Sequence, residues 1–524
     1  MKLNENQQKA VDLDQPLIVV TASPGSGKTA TLVASVKQAI KTRRVSPEKV
    51  AVFTFTISAA REFADRLKEA GVPKLGYIGT LHGWALRYGI EASKIATVID
   101  GVAYKRIIDE ELKRLAFADG LASKVKSALI EGKTLGGKGK LGMASIKKNL
   151  ANKKICPLND LIETATEILK ENELGRNPDH KPFDAIYVDE YQDTSDGDHD
   201  CYQAMKAKYQ FYVGDSDQSV YGFRGSNHEN LDKLAIEASK QGCHVVLEKN
   251  YRSGKRICEF AQKIIGDIKN RVPKEMQAAK NITDFVNIQQ YETDAEEIST
   301  IGKFIISQLE AGVEASQIAV LTRYNTDAIR IAEALRCGNN LPVSLPGQKN
   351  EQEKNKIDLA VEIVADPKSK SLKKWEEIYG EVPDNYDPLV IAGGNLEKAL
   401  TIAGINSADA TRIATVASQQ PDRWTRKQES ILRLRGAAKE HIAENTEQGN
   451  IQVITMHGSK GKEYQAVWIA HADSKALPDT DDSRRLAYVA ATRAKRQLVV
   501  SSSKSKPDFT GKIESGLTPS PVYS

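Results

Sequence analysis

Apolar positions follow two rhythms along this chain, and the order in which the rhythms alternate sets its organisation. Short β-branched runs, PLIVVTA from Pro16 and VAVFTFT from Val50, each lead into a stretch whose apolar residues recur every three to four positions, TATLVASVKQAI and ISAAREFADRLKEAG. A period near two followed by a period near 3.6 predicts strand then helix, and the repeated pair predicts a parallel βαβ sheet. From about His82 to His180 the pattern is helical and lysine-rich, with no comparable strand run, which predicts an insertion. Strands return at DAIYVDE (Asp184), QFYVGD (Gln210) and HVVLEKN (His244). A second set follows: the strand DFVNIQQYE, the helix DAEEISTIGKFIISQLEAG, the strand IAVLTRY and the helix NTDAIRIAEALRCG. From about Leu345 to Asn445 the chain is polar and mostly helical, a second insertion, before strands resume at IQVITMHG, AVWIAHA and LVVSSS around the helix RRLAYVAATRAKRQ. The expected architecture is therefore α/β, with two parallel-sheet cores, each interrupted once by a mainly helical segment.

Length agrees, since 524 residues exceed what one core organises and suggest roughly three or four units. With 40% hydrophobic and 27% charged residues the composition is that of a folded globular protein. No apolar run approaches the roughly 18 residues of a membrane span, so no membrane partner is expected. The N-terminal MKLNENQQKAV lacks an apolar stretch after its lysine, and the expected location is cytoplasmic, in a bacterial or phage-infected cell. Five cysteines without C-x-x-C spacing argue against a disulfide framework or a zinc site and read as small buried hydrophobes. A net charge of +5 is mild, but between Leu121 and Lys154 nine lysines face one acid, Glu131, a local cationic surface suited to a polyanion.

The strongest local chemistry is ASPGSGKT, Ala22 to Thr29, between an apolar strand and a helix. Gly25 and Gly27 let the backbone curl so that its N–H groups point at phosphate oxygens, and the helix start adds a positive dipole. Ala22, Ser23, Pro24 and Ser26 complete the loop, Lys28 can reach the β/γ-phosphates and Thr29 offers a hydroxyl to Mg²⁺. Such a loop needs carboxylates at the end of a neighbouring strand, and IYVDEYQD supplies Asp189 for the metal and Glu190 to take a proton from an attacking water.

Taken in order, the motifs resemble those of the UvrD/Rep-like DNA helicases of superfamily 1A. LNENQQKAV at Leu3 is similar to the adenine-reading Q motif, with Gln7 as its glutamine, and AVFTFTISAA at Ala51 and GTLHG at Gly79 to the DNA-contacting motifs that follow the phosphate loop. VDEYQDTS at Val188, VGDSDQSVYGFRGS at Val213, LEKNYRS at Leu247, ITMHGSKGKEY at Ile454 and RRLAYVAATRAK at Arg484 resemble motifs II to VI. The resemblance implies two RecA-like P-loop domains. It divides the chain into a first domain (1–85 and 182–250) with a helical insertion (86–181), and a second (251–344 and 446–505) with a short helical insertion (345–445). A loose tail occupies 506–524.

It also implies roles. Gln218 would sense the γ-phosphate, Arg252 and Arg493 would act as arginine fingers from the second half, Tyr251 would stack on adenine and Glu463 would contact the ribose. Tyr221, Phe223 and Arg224 would offer stacking faces and a cation to single-stranded DNA, with Phe55, Thr56, Thr80, His82, Thr455 and His457 as further strand contacts. Phe223 stands where the family usually has Trp, Ala30 where it often has Arg, and the second insertion is short for the family. The expected function is an ATP- and Mg²⁺-dependent helicase translocating 3′ to 5′ on single-stranded DNA and engaging single-strand/duplex junctions, with a loader or replication/repair protein as a possible partner. The alternative is a protein-displacing translocase that unwinds weakly unless a partner is bound.

Overall fold

The computed structural model describes residues 3–502, apart from 172–181, 345–350, 367–386, 418–430, 438–449 and positions 43, 100, 118, 132, 134, 269, 270, 393, 404, 406 and 432. The expected tail at 506–524 and much of the second insertion lie outside the described residues.

The first sheet begins with β1 (Leu17–Ala22), β2 (Val50–Phe53) and β3 (Tyr77–Gly79). Within the helical segment that follows, β4 (Thr97–Ile99) and β5 (Ile155–Pro157) form a small parallel ribbon that three-residue strands are too short to announce by periodicity. The sheet resumes with β6 (Ala185–Val188), β7 (Tyr209–Gly214) and β8 (His244–Leu247) and has the order β3-β2-β6-β7-β1-β8, all parallel. Helices cover both faces, so strands such as β1, β2 and β6 are buried almost throughout and read as continuous apolar runs rather than alternations.

Two residues after β8 the chain crosses to the second half through β9 (Lys249–Asn250), paired with β10 (Gln277–Ala278). The second sheet contains β11 (Phe285–Gln290), β12 (Ile318–Thr322), β13 (Val343–Ser344), β14 (Ile451–Thr455), β15 (Tyr464–Ile469) and β16 (Ala494–Ser502). Its order is β11-β16-β15-β12-β14-β13, again parallel.

The helical segment of the first half is not one packed unit. Helices Gly101–Arg114, Asp119–Glu131 and Gly137–Asn152 close around Tyr104, Ile108, Val125, Ile146 and Leu150. Helices Leu81–Glu91 and Leu161–Glu171 instead bury Leu81, Trp84, Leu161 and Ile168 in the first sheet's core. The separate core is thus narrower than 86–181, because helical period alone does not say which sheet a helix covers. In the second half, helices Glu351–Ala365, Leu396–Ile402 and Ser407–Ala417 share a core of Val361, Leu400 and Ile413. Four cysteines are buried as expected, but Cys337 is exposed. No helix among the described residues is long and apolar enough to cross a membrane.

Candidate functional site

The loop after β1 is shaped by two glycines in the left-handed region, Gly25 at φ 65° and Gly27 at φ 82°, where an L side chain is strained. Space is as restrictive as conformation. A Cβ on Gly25 would lie 2.7 Å from the Cβ of Arg252, and one on Gly27 would lie 2.5 Å from Gln7 Nε2. The loop is therefore packed against both the N-terminal helix Glu5–Asp12 and the segment after β9.

Gln7 donates from Nε2 to the Ser26 carbonyl at 2.9 Å, and its Oε1 accepts from the Asn4 amide in a capping box. Asn4 in turn donates to the Tyr251 hydroxyl at 2.9 Å, while the Tyr251 amide donates to the Gly25 carbonyl at 2.8 Å. Gln7 and Tyr251, far apart in sequence, thus flank one edge of the loop. Within it, Ala22, Ser23 and Pro24 are buried, and the hydroxyls of Ser23 and Ser26 are buried with no partner. Lys28 and Thr29 open the helix Lys28–Lys41.

Lys28 Nζ sits 3.1 Å from Glu190 Oε2. Burial alone would favour the neutral amine, but Glu190, Asp215 and Asp189 outweigh it and hold the ammonium form. Glu190 follows β6 in the left-handed region, φ 50°, and its amide donates to Asp189 Oδ1 at 2.9 Å. Burial, then the charge of Glu190, pushes the Asp189 carboxyl well up. Burial would push Glu190 up as well, but Lys28, Lys460 and a hydrogen bond from Gln192 hold it down. Among the described residues, Lys28 is the ammonium in direct contact with this pair of adjacent carboxylates, with Lys460 acting from farther off. That surplus of acceptors, with partnerless hydroxyls in a glycine cradle, fits a nucleotide with a divalent cation beside it.

β7 lies between β1 and β6 in the sheet, so its C-terminal end places Asp215 to Gln218 beside both loop and carboxylates. Gln218 is buried; its Nε2 donates to Asp215 Oδ2 at 2.6 Å, and its Oε1 accepts from Arg493 Nη2 at 2.9 Å. Arg493 comes from the second half and is fully buried, also donating to the carbonyls of Val489 and Lys462. Burial, then the nearby Arg252, pulls its guanidinium down to about 9. Arg252 touches the loop with its Cβ, but its head pairs with Glu463 Oε2 at 2.6 Å and donates to the Thr492 carbonyl. Glu463 also pairs with Lys495 at 2.8 Å. The two arginines are therefore on the cleft in different states, one on Gln218 and one tied to its own half.

Three residues past Gln218 an aromatic face begins. Tyr221 stacks on Phe55 with ring centroids 5.5 Å apart and planes 12° apart, and Phe223 meets His457 edge-on at 5.5 Å. Arg224 lies over both Tyr221 and Phe223, at 5.0 and 5.4 Å. Phe55 is 44% and Phe223 71% exposed, so neither is a core residue. Phe55 and Tyr221 come from the first half and His457 from the second, and the platform spans the two. Thr56 and Thr80 accept from Ala59 and Gly83 as N-caps of helices Ile57–Glu69 and Leu81–Glu91, presenting two helix starts. His82 is exposed, on a cleft that Phe55 and Arg224 also line. Thr455 caps the turn beneath His457 by accepting from the Gly458 amide at 3.1 Å. Burial, with Arg323, Arg224 and Lys460, lowers the His457 imidazolium to about 4, so His457 is neutral at pH 7.

Several residues that hold this arrangement carry no role that the sequence alone assigns. Lys460 chelates both oxygens of Asp193 at 2.7 and 2.5 Å and donates to the Gln218 carbonyl, a second bridge between halves. Gln192 bonds Glu190 and the Asp215 amide, linking the ends of β6 and β7. These lie inside the quoted motifs, where their side-chain types were a usable signal. Arg271 and Lys274, paired with Asp217 and Asp215, lie outside all of them.

Two parallel-sheet halves meeting over a phosphate loop, with Arg493 of one half on Gln218 of the other, are the architecture of a two-domain P-loop nucleoside triphosphatase. Residues 7–224 match the AAA domain family model, and residues 245–360 with 416–505 match the UvrD-like helicase C-terminal domain. The chain is similar to the ATP-dependent DNA helicase PcrA of Leuconostoc citreum, 24% identical over 96% of this chain and 82% of the relative. It is also similar to the PcrA helicases of Staphylococcus epidermidis and Staphylococcus aureus, 26% and 25% identical over 68% of this chain. In those matches the chain spans about half the length of the staphylococcal relatives. Over both matched stretches the chain is thus similar to the UvrD/Rep-like helicases.

Proposed function

We propose that the chain is an ATP-dependent DNA helicase that translocates 3′ to 5′ on single-stranded DNA, the two sheets being its RecA-like motor domains and the helical segments their insertions. The observation that carries this is the position of Gln218. Its side chain takes Arg493 of the second half, and the same short segment continues into Tyr221, Phe223 and Arg224. A change at the γ-phosphate is thereby converted into a change at the aromatic face without intervening structure.

In this reading the loop amides and Lys28 bind the ATP phosphates, Tyr251 and Gln7 hold the base, and Glu463 the ribose. Glu190, kept ionised by Lys28 and Lys460, accepts the proton of the attacking water. Mg²⁺, held by Thr29 and Asp189, would neutralise charge on the β- and γ-oxygens. Arg493 stabilises the transferring phosphoryl group, and Arg252 joins it when released from Glu463. Bases stack on Phe55, Tyr221 and Phe223, and the starts of the helices capped by Thr56 and Thr80 face backbone phosphates. His82, Thr455 and His457, the last as a neutral imidazole, line the strand's path.

The test is ATP hydrolysis with and without single-stranded DNA, followed by unwinding of duplexes with a 3′ or a 5′ tail. Stimulation with 3′-tail unwinding is expected, and absence of stimulation overturns the reading. Stimulation without unwinding selects the second reading, a translocase needing a partner, which the short sequence of the 345–445 segment favours.

Two further outcomes are expected. Phe223→Ala removes one exposed stacking face, and single-strand affinity should fall by roughly 5- to 150-fold, the equivalent of about 1–3 kcal/mol per stacked base, read by fluorescence anisotropy. Lys138, Lys140 and Lys148 lie exposed on the helix Gly137–Asn152, whereas Lys147 is paired with Glu163 at 3.0 Å. Replacing Lys138, Lys140 and Lys148 by Gln should flatten the log–log salt dependence of duplex-junction binding by about 2–3 units, at ~0.9 for each phosphate that is no longer neutralised. An unchanged slope would return that helix to a solvated face.

A further inference from the structure

The Gln218 amide is held at both ends, and the chemistry of its partners leaves one orientation. A carboxylate can only accept and a guanidinium can only donate, so Nε2 must face Asp215 and Oε1 must face Arg493. What holds Asp215 decides whether the sensor can be read by Arg493. Asp215 has no exposed surface, and its remaining oxygen, Oδ1, is bonded by Lys274 Nζ and by the Asp217 amide. Lys274 is as deeply buried as its partner, with 1% of its side chain exposed, and it also reaches Asp217 Oδ2 at 2.6 Å. Asp217 is completed by a fork from Arg271, whose Nε and Nη2 donate to its two oxygens at 3.0 Å each. Arg271 and Lys274 lie between the helix Lys255–Ile265 and β11, where Ile268 and Met276 pack with the second half's core.

We propose that Asp215 and Lys274 are positioning residues for the ATPase reaction: Lys274, delivered by the second half, fixes the Asp215 carboxylate, which sets the Gln218 amide in the orientation that Arg493 and the γ-phosphate require. The sensor is then gripped by the second half on both sides, through Arg493 on the amide oxygen and through Lys274 behind the amide nitrogen. Arg271 locks Asp217 so that Lys274 has a single seat. Without the clamp, the amide of Gln218 is free to turn over and present its NH₂ to Arg493, a donor against a donor. This inference rests on the reading of the chain as a DNA-stimulated ATPase.

The test is a double-mutant cycle on the full chain, with hydrolysis followed at saturating single-stranded DNA. Stimulated hydrolysis by the unaltered chain is the control on the functional reading; its absence would sink that reading and the inference with it. Given stimulation, Asp215→Asn should lower kcat about 10- to 100-fold with KM for ATP and binding of a fluorescent ATP analogue within about threefold, because the clamp acts on turnover through Gln218. In a Gln218→Ala background the same substitution should cost less than about twofold, since there is no amide left to orient. A loss that multiplies through in that background, or one confined to KM, overturns the proposal and leaves the cluster as structural glue. Asp215→Asn leaves Lys274 with Asp217 alone, so a second variant, Asp215→Asn with Lys274→Met, removes both charges together. It should show the same kcat loss and the same disappearance of that loss beside Gln218→Ala; full activity in this variant overturns the proposal.

Discussion

Arg493→Ala is expected to abolish DNA-stimulated hydrolysis by a factor of about 10³–10⁵ while nucleotide binding falls much less, because an arginine finger acts on the charge of the transferring phosphoryl group. Its burial complicates a plain alanine scan. Arg493 donates to the carbonyls of Val489 and Lys462 and to Gln218, and leaving such acceptors unpaired costs about 1–3 kcal/mol for each group that water cannot reach. Arg493→Lys keeps a cation but loses the fork that makes several of these bonds at once, so it should fold better than the alanine variant and still lose most of the stimulated rate. The two variants separate transition-state loss from damage to the helix Asp481–Ala491 when hydrolysis is measured beside thermal denaturation and fluorescent-nucleotide binding. Wild-type turnover in Arg493→Lys would take the residue out of the chemistry.

Lys28→Met should lower hydrolysis by at least about 10²–10³, the usual effect of removing one preorganised charge from a reacting centre, and it should also weaken nucleotide binding. The structure adds a second consequence. Lys28 is the close ammonium on Glu190, and it helps hold that carboxyl down against burial. Without it, Glu190 keeps Lys460 and Gln192 but loses its closest cation, and the repulsion between the two neighbouring carboxylates is relieved less. The Glu190 carboxyl should therefore move up, and any residual hydrolysis should be lost at a higher pH on acidification than in the unaltered chain. A pH–rate profile of the residual activity checks this, and an unshifted acidic limb would mean that Lys28 does not govern the ionisation of Glu190.

Much of this site was legible in the sequence because its parts are local. Ala22 to Thr29 needs only its own glycines and the helix start behind it, and Asp189 with Glu190 needs only the end of a buried strand. Phe55 and His82 were harder, because a lone aromatic beside a strand or a histidine near a helix start is as readily a core residue. Only their place in ordered motifs marked them, and both are exposed. Which core the helix Leu161–Glu171 joins is not legible in its sequence, because its apolar period is the same whichever sheet it covers.

By itself the sequence determined two α/β cores, their interruptions, the phosphate loop, the acidic strand end and the aromatic segment after Gln218. Each of these is written in short-range periodicity or in the stereochemistry of a few adjacent residues. Only the tertiary structure decided that Arg493 sits on Gln218 while Arg252 is turned to Glu463, that Lys460 bridges to Asp193, and that Arg271 and Lys274 seal Asp217 and Asp215. Those pairs are 54 to 275 residues apart in the chain. A lysine or arginine bound for a buried carboxylate carries the same local pattern as one bound for water, and burial, which makes the pairing obligatory, exists only once the two halves have met.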